Sequence, residues 1–530
     1  MSGPPSWKRA AGLGALGVAL HVAAFPPFSL WPLALLAPWP LALLALHARS
    51  AGRAFLRLYL AGVAIFVLGS WWLAATSPVN LAIVALVDAG WFGAFGWAAH
   101  RALSRRAAWP ALPVLWTAHE LLRIHAPLSG YPWQLLGQAL AANRVAVQAA
   151  DIGGVLLLTF LAACVSAAGL GWQRHERRWA WALALPALGV IYGLVRPHTL
   201  SEPRPGPVLA AIQPAFPQHL KEDVEAADVR YERCLDLSDQ ALLGGEQVDL
   251  LVWPETMWPF AMGEGEPGQE FTRGFGVDYV TQAESRFLAP LLAGGPLGDR
   301  AARLLIGTPY FRIGPDGRVL TSNSAVYFDR DGRRLGRYDK VILVPGGEAI
   351  PYARWLPAGL RRWAEGLIRS IAGFVVDLEP GPGVQLVDLD GVRLGVTICF
   401  ENAYGDFNRE CVRQGADVLV NLSNEAWFGE TELDDMELHS VLRAVETRRA
   451  VFRSTNSGIS CLVRPDGRAP QGADRLVVDG RDRTVAGAFR ARVPIHTDRT
   501  LYLWWGDRWA WACVIWALVL AWRPARTALP

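Results

Sequence analysis

Three strand-like segments of the chain each end in side chains that can do chemistry. "LLVWPET" leads into Glu255, "YDKVILVPGGE" contains Lys340 and Glu348, and "GVTICFEN" contains Cys399. A thiol reacts as the thiolate, so it needs a base or a nearby positive field. Glu255 is a candidate base if desolvation at an apolar strand end raises its pKa. Lys340 is a candidate for the positive field, which would also stabilise a developing oxyanion.

Each of these side chains also has a structural interpretation. A single cysteine in a strand is usually a core residue, so Cys399 taken alone favours packing over catalysis. Glu255 could be a surface carboxylate, and Lys340 a solvated loop charge. If Cys399 is the nucleophile, the backbone N–H of Phe400 is placed to help bind the oxyanion. The separations along the sequence do not by themselves bring the three groups together.

The composition indicates a membrane protein that carries a soluble domain. The chain has 530 residues, of which 52% are hydrophobic and 24 are Trp. A net charge of +3 and the lack of a basic stripe argue against nucleic-acid binding. The six cysteines form no C-x-x-C pair and no Cys/His cluster with zinc spacing, which argues against a disulfide framework. We predict no metal and no cofactor.

Residues 1–200 are strongly apolar and predict a bundle of about seven transmembrane helices. Each apolar run is about long enough to cross a bilayer core of roughly 30 Å. One more span is predicted at 501–523, for about eight in total. The predicted spans of the bundle lie near 10–26, 28–46, 55–76, 79–99, 108–124, 152–172 and 178–195.

The loop charges predict the orientation of these spans. Alternate loops are rich in Lys and Arg, whereas "FPPFS" and "TSPVN" between them carry no charge. The positive-inside rule then places both termini in the cytoplasm and residues 205–495 on the outer face. Asp88, His119 and Glu120 lie in or near the spans. Ionisable residues there are functional candidates, although helix pairing or an interfacial position is the alternative.

Residues 205–495 alternate strand-like and helix-like segments and predict an α/β sandwich with helices over its sheets. Helices are predicted near 218–243, 403–414 and 434–450. "SEPRPGP" at 201–207 is the predicted joint with the membrane bundle. The strand candidates are "PVLAAIQ", "DLLVWPE", "RLLIGTPYF", "SNSAVYFD", "GVQLVDL", "VRLGVTICF", "ADVLVNLSN" and "SGISCLV".

The three chemical segments, in this order, resemble one known enzyme family. A Glu in "WPE", a Lys before "LVP-x-GE" and a Cys in "IC-[FY]-E" match the triad of the nitrilase superfamily. With membrane spans on both sides, the chain resembles the bacterial apolipoprotein N-acyltransferases over nearly its whole length. That resemblance implies an αββα sandwich for the catalytic domain. Further matching stretches are "YPWQLLGQ", "SNSAVYF", "NLSNEAWFG" and "RSTNSGIS".

The resemblance assigns roles to individual residues. It implies that Glu255 is the general base, Lys340 the transition-state stabiliser and Cys399 the nucleophile. Glu348 is implied to hold Lys340 in place. Supporting positions are implied for Phe400, Glu401, Asn323, Asn424, Trp427, Ser454 and Asn456.

The chain departs from the family pattern at four positions near these segments. Gly346 stands where an aromatic residue commonly precedes the Gly of "LVP-x-GE". Phe400 stands where the family usually has Tyr after the nucleophile. Ala215 stands at an Asn position, and Glu222 replaces a Trp. The triad residues are unaffected by these exchanges.

The resemblance also implies a reaction. A membrane phospholipid would donate a fatty acyl group to Cys399, and a diacylglyceryl-modified apolipoprotein would accept it on its N-terminal amine. The enzyme would lie in the bacterial inner membrane as a monomer, with its catalytic domain on the periplasmic side. The alternatives are a membrane-tethered nitrilase-like amidase that uses water as acceptor, and a transporter or receptor whose outer domain only binds ligand.

Overall fold

The protein forms two units that we describe separately. The computed structural model describes residues 7–104, 110–125, 130–218, 220, 225–260, 262–272, 275–293, 295, 300, 302–350, 356–357, 359–363, 365–366 and 377–522. The first unit comprises residues 1–200, 445–447 and 499–530, and the second comprises 201–444 and 448–498.

The first unit is helical. Apolar residues dominate its helices, and capping side chains mark three of their starts: Ser50 accepts from Arg53 N–H, Ser77 from Val79 N–H and Thr500 from Leu503 N–H. The helices are α1 (Trp7–Ala23), α2 (Pro38–Leu46), α3 (Ala51–Gly69), α4 (Pro78–Leu103), α5 (Ala111–His125), α6 (Leu136–Leu140), α7 (Ala150–Gln173) and α8 (Ala184–Val195). Two more, α13 (Leu501–Trp505) and α14 (Arg508–Trp522), come from the end of the chain.

Four helical stretches of the described chain are long and apolar enough to cross a membrane. They are Ala51–Gly69, Pro78–Leu103, Ala146–Gln173 and Trp179–Thr199. The apolar helices Trp31–Leu46 and Arg508–Trp522 are shorter. The membrane character of this unit is therefore supported, whereas the predicted count of about eight spans is not confirmed and stays a prediction.

Glu120 and Arg123 of α5 are fully buried and bind other parts of the same unit. The Glu120 carboxylate accepts hydrogen bonds from the Trp116 indole (2.8 Å), the Thr159 hydroxyl (2.6 Å) and the backbone N–H of Leu136 (3.0 Å). Arg123 donates to the backbone carbonyls of residues 131, 133 and 134 at 2.6–3.2 Å. These contacts favour the structural interpretation of Glu120, because they fix the irregular segment 131–136 against α5.

The other two ionisable candidates of the helical unit are His119, which lies beside aromatic rings, and Asp88, which is buried. The His119 ring lies 4.7 Å from the ring of Phe92, centroid to centroid, and only 4% of the residue is exposed. Asp88 of α4 is 7% exposed. Their roles stay open predictions.

The second unit contains two principal β-sheets. The first has the strand order β14-β1-β2-β6-β7-β8, with β3 paired to β6. Strands β1, β2 and β6 run parallel, while β14, β7 and β8 add antiparallel pairs. Its strands are β1 (Arg204–Gln213), β2 (Leu250–Trp253), β3 (Met262–Glu264), β6 (Arg303–Ile313), β7 (Val319–Phe328), β8 (Arg334–Asp339) and β14 (Gly487–Ile495).

The second sheet has the order β13-β12-β11-β10-β9, with β10, β11 and β12 parallel. A small separate hairpin pairs β4 (Glu270–Thr272) with β5 (Phe275–Gly276). The second sheet consists of β9 (Leu386–Leu389), β10 (Val392–Ile398), β11 (Val418–Ser423), β12 (Ala450–Thr455) and β13 (Cys461–Val463).

Apolar side chains of both sheets form one core between them. Leu250 and Val252 of β2 lie in the same buried cluster as Val396 and Val420 of the second sheet. Helices cover the outer faces: α9 (Ala227–Leu242) packs on the first sheet, and α11 (Gly405–Arg413) contacts β10 of the second. The remaining helices are α10 (Val277–Leu288) and α12 (Thr431–Thr447). The unit is thus an αββα sandwich.

We predict that replacing Glu120 separates the two interpretations of this residue. Glu120→Ala leaves the indole of Trp116, the Thr159 hydroxyl and the N–H of Leu136 without their acceptor, which is expected to lower the free energy of unfolding by about 3 kcal/mol. Glu120→Gln keeps an acceptor oxygen and should cost about 1 kcal/mol. Thermal unfolding in detergent measures both effects.

An assay of the same variants for the acyl transfer that the resemblance implies tests this interpretation further. A Glu120→Gln protein that unfolds like the wild type yet is inactive would contradict the structural interpretation and favour a functional one.

Candidate active site

Glu255 leaves the first sheet at the carboxyl end of β2. Pro254 ends the strand, and the turn passes so close to β6 that a Cβ atom on Gly307 would lie 2.2 Å from the Pro254 carbonyl oxygen. Thr256 completes the turn with a φ of 52°. Glu255 is only 6% exposed, so its carboxylate is held in a largely desolvated position.

Lys340 follows β8, which runs in the same direction as β2, so both residues lie at one edge of the sheet. Its backbone N–H donates to the Asn323 carbonyl (2.8 Å), and its side chain is fully buried. The ammonium lies 2.9 Å from the Glu348 carboxylate and 3.5 Å from Glu255 Oε1. One buried cation therefore lies between two carboxylates.

Asn323 of β7 links these two carboxylates. Its side-chain N–H groups donate to Glu255 Oε1 (2.7 Å) and to Glu348 Oε1 (3.0 Å). Glu348 also accepts the backbone N–H of Val344 at 2.9 Å, which fixes it inside its own loop. Asn323 and Glu348 thereby restrict the positions that Glu255 and Lys340 can take.

Cys399 lies where β10 ends and a short 3-10 helix, Cys399–Ala403, begins. Its φ is 57°, a left-handed conformation that costs a non-glycine residue roughly 1–2 kcal/mol. Asn421 of the adjacent strand donates to the Cys399 carbonyl (3.2 Å) and holds this turn. Cys399 is partly exposed, whereas the other five cysteines are buried. A strained, accessible turn is typical of a functional position.

Glu401 joins the Cys399 turn to the loop after Lys340. Its fully buried carboxylate accepts the N–H groups of Val341 (2.7 Å), Ile342 (2.9 Å) and Ile398 (2.7 Å). The hydroxyl of Tyr338 donates a fourth hydrogen bond at 2.7 Å. Burial raises the pKa of Glu401 to about 7, although the hydrogen bonds from Ile342 and Ile398 oppose that shift. This clamp of four hydrogen bonds fixes the turn at Cys399 relative to the loop after Lys340.

The electrostatics of the site keep Cys399 protonated in the absence of substrate. Although the residue is partly exposed, desolvation by the surrounding protein is the largest influence and raises the pKa of the Cys399 thiol well above its usual range. The Glu255 charge raises it further, while the Lys340 ammonium lowers it in part. Burial alone would lower the pKa of Lys340, but its negative neighbours, Glu348 foremost, hold it above its usual range. Lys340 is therefore a permanent cation, and the thiol needs a base to react.

Asparagines and an exposed indole follow β11 and β12, where the resemblance predicts supporting positions. Asn424 is buried and accepts from the Asn456 amide (2.8 Å), and it donates to Gln218 Oε1 (3.3 Å). Asn456 also binds the backbone of Phe216 in both directions at 2.9 Å. Trp427, three residues past Asn424, is 36% exposed. The Ser454 hydroxyl donates to a β2 carbonyl at 3.0 Å and ties the two sheets together.

A buried ion pair at this edge of the second sheet was not predicted from the sequence. Arg453 of β12 binds Glu425 directly, and both side chains are at least 98% buried. Burial raises the pKa of Glu425, while the Arg453 charge lowers it. The two segments containing them, "NLSNEAWFG" and "RSTNSGIS", were recognised as motifs, but only the pairing of β11 with β12 brings the charges together.

Ala215 and Glu222 both depart from the family pattern, and the structure describes only the first of them. Ala215, at the Asn position, adopts a left-handed φ of 56° and donates its N–H to the Asn456 carbonyl. Asn tolerates a left-handed conformation better than Ala does, which explains why the family usually has Asn at this position. Glu222 lies outside the described residues. Among the residues that the structure does describe, no cluster of three or more His, Cys, Asp or Glu could hold a metal ion.

A protein-family model supports the class of enzyme that this fold and site indicate. The carbon-nitrogen hydrolase family model matches residues 208–476, so the second unit is a nitrilase-like domain. An amidase from Nesterenkonia sp. is 19% identical, covers 60% of this chain and 98% of its own, and has a TM-score of 0.35.

A match near the N-terminus narrows the class of enzyme further. Residues 17–168 match the apolipoprotein N-acyltransferase N-terminal domain. Apolipoprotein N-acyltransferases of Azotobacter vinelandii and Bradyrhizobium diazoefficiens are 31% and 30% identical, covering 85% and 98% of this chain and 84% and 95% of theirs. The relative from Geobacter metallireducens is 30% identical, over 78% of this chain and 73% of its own. The chain belongs to the apolipoprotein N-acyltransferase family.

We predict that Glu401→Gln destabilises the catalytic unit. Whichever way the new amide turns, its NH2 group faces a backbone N–H that the carboxylate had accepted. The unpaired donor is expected to lower the free energy of unfolding by about 3 kcal/mol. Glu410→Gln, on an exposed face of α11, is the matched control and should cost less than about 0.5 kcal/mol. Equal unfolding temperatures for the two variants would refute the clamp.

We also predict a defined pH dependence for alkylation of Cys399. With a raised pKa, the thiolate fraction increases about tenfold per pH unit across the neutral range. Glu255→Gln removes a negative neighbour and should move the midpoint of the alkylation profile to lower pH. Lys340→Met should move it to higher pH. Mass spectrometry of the Cys399 peptide measures the midpoints.

Cys411 is the internal reference for that titration, because burial raises its pKa to about 12. A midpoint that moves upward in Glu255→Gln would show that Glu255 does not act on the thiol as described.

Proposed function

We propose that this protein transfers a fatty acyl group from a membrane phospholipid to the N-terminal α-amine of a diacylglyceryl-modified apolipoprotein. The observation that carries the proposal is the position of the buried Lys340 ammonium between the carboxylates of Glu255 and Glu348. The charges of all three groups act on the thiol of Cys399. Membership of the apolipoprotein N-acyltransferase family supports the acceptor and the donor.

The first half-reaction acylates the enzyme. Glu255 takes the Cys399 proton as the sulfur attacks the sn-1 ester carbonyl of the phospholipid. Lys340 and the backbone N–H of Phe400 hold the oxyanion of the tetrahedral intermediate. The ester C–O bond then breaks, the proton on Glu255 passes to the leaving alkoxide, and a lysophospholipid departs. A thioester remains on Cys399.

The second half-reaction transfers the acyl group. The neutral α-amine attacks the thioester carbonyl, and Glu255 accepts the proton that the new C–N bond displaces. The C–S bond breaks, and that proton returns to the Cys399 sulfur. The products are an amide and the free enzyme, so the cycle is ping-pong. Raised thiol basicity favours the first attack once Glu255 has removed the proton, and Lys340 stabilises both tetrahedral intermediates.

Membrane helices suit substrates that are anchored by acyl chains. The family and the four apolar helices indicate an inner-membrane protein. We further propose that both termini are cytoplasmic, that residues 205–495 form a periplasmic catalytic domain and that the enzyme is a monomer. The charges of the loops and the amine-bearing acceptor support this orientation.

The amidase alternative uses the same triad with water as acceptor. The match of residues 17–168 to the N-terminal domain of the acyltransferases favours acyl transfer over hydrolysis. A transporter or receptor would have no need for a base, a cation and a thiol at one edge of the sandwich.

Mass spectrometry of the purified protein after incubation with phospholipid tests the first half-reaction. A fatty acyl adduct is expected on Cys399, and adding a diacylated lipopeptide should discharge it as an N-acylated peptide. Cys399→Ala should carry no adduct, whereas Cys411→Ala, which removes a buried thiol of the same domain, should be acylated normally. A folded wild-type protein without adduct would refute the proposal, and release of free fatty acid would favour the amidase.

A further inference from the structure

The aromatic ring that follows the nucleophile lies over the catalytic cation. Lys340 Nζ is 5.2 Å from the centroid of the Phe400 ring. An ammonium within about 6 Å of a ring face is attracted by the negative charge of that face. The attraction is strongest where water is excluded, and the Lys340 side chain is fully buried.

The turn and a second ring hold Phe400 in this position. The left-handed backbone of Cys399 directs the chain into the short helix that contains Phe400. The ring of Tyr404 packs against it nearly at right angles (83°), with 5.3 Å between centroids. Tyr404 is itself buried, so it forms a fixed support behind Phe400.

The hydrogen-bond inventory of Lys340 explains why an aromatic face is useful here. An ammonium has three N–H donors. Among the described residues, the polar partners of this ammonium are two carboxylates. Both oxygens of Glu348 lie 2.9 Å from Nζ and share one donor, and Glu255 lies at 3.5 Å. A further polar partner would occupy the donor that an oxyanion needs. A ring face attracts the charge without accepting a conventional hydrogen bond, so it leaves that donor available.

We propose that Phe400 is a positioning residue whose ring face holds the Lys340 ammonium between Glu255 and Glu348 with one N–H free for the oxyanion. The inference rests on the proposed acyl transfer and assigns a role to the side chain of Phe400, in addition to its backbone N–H. It also accounts for Phe at a position where the family usually has Tyr, because both rings present a negative face.

Fluorination of the Phe400 ring tests this role with little change of shape. Successive fluorine atoms withdraw charge from the ring face and weaken its attraction for a cation. We expect the single-turnover rate of Cys399 acylation to fall stepwise through 4-fluoro-, 3,5-difluoro- and 3,4,5-trifluorophenylalanine, by about tenfold or more in total. The thermal unfolding temperature should stay the same across the series.

Phe407 of α11 provides the matched control. It is also partly buried, and in the described part of the chain no cation is recorded over its ring. The same fluorinated residues at Phe407 should leave the acylation rate unchanged. Phe400→Tyr should stay within a few-fold of wild type, whereas Phe400→Leu, which keeps bulk but loses the face, should fall at least as far as the trifluoro protein.

Two results would separate failure of this inference from failure of the proposed function. Equal acylation rates throughout the Phe400 fluorination series, with normal adducts on Cys399, would overturn the role of the ring and leave acyl transfer intact. Absence of any adduct in the folded wild-type protein would overturn the acyl transfer itself.

Discussion

The Lys340 ammonium is the constraint on which the rest of the catalytic unit depends. A cation with a fully buried side chain is tolerated only where opposite charges and hydrogen bonds replace its water. Glu348 and Glu255 supply the charges, and Asn323 fixes both carboxylates. Removing one partner would leave an uncompensated buried charge. The contacts that position the Lys340 ammonium for chemistry are therefore also the contacts that stabilise this edge of the sandwich.

The αββα architecture follows from the need to present these groups together. Glu255 and Lys340 extend from strands of one sheet that run in the same direction, and Cys399 extends from the other sheet. The apolar core between the sheets sets their separation. Glu401 then joins the Cys399 turn to the loop after Lys340, which fixes the thiol and the ammonium relative to each other. The relative position of these two loops is therefore set by the buried Glu401 carboxylate, which accepts hydrogen bonds from backbone N–H groups of both.

Individual strands and helices show which parts of the fold could be predicted from sequence patterns. Continuous apolar runs such as "RLLIGTPYF" predicted interior strands, whereas "RLGRYD" and "GAFRARVPI" were missed because they are edge strands, β8 and β14, with polar residues on one face. In the helical unit, hydropathy located apolar helices. Length and composition qualify four of them as spans, and irregular segments such as 131–136 depend on Glu120 and Arg123 rather than on periodicity.

The sequence by itself determined the nitrilase-like fold of the second unit and the membrane character of the first, and it predicted the triad, because strand ends, apolar runs and short motifs are local signals. Only the tertiary structure decided how those residues interact. Asn323 bridges Glu255 to Glu348, Arg453 neutralises Glu425, and the Phe400 ring lies over Lys340. Each of these contacts joins segments that are distant in sequence, and strand register with core packing sets their distances. A linear pattern contains no information on such distances.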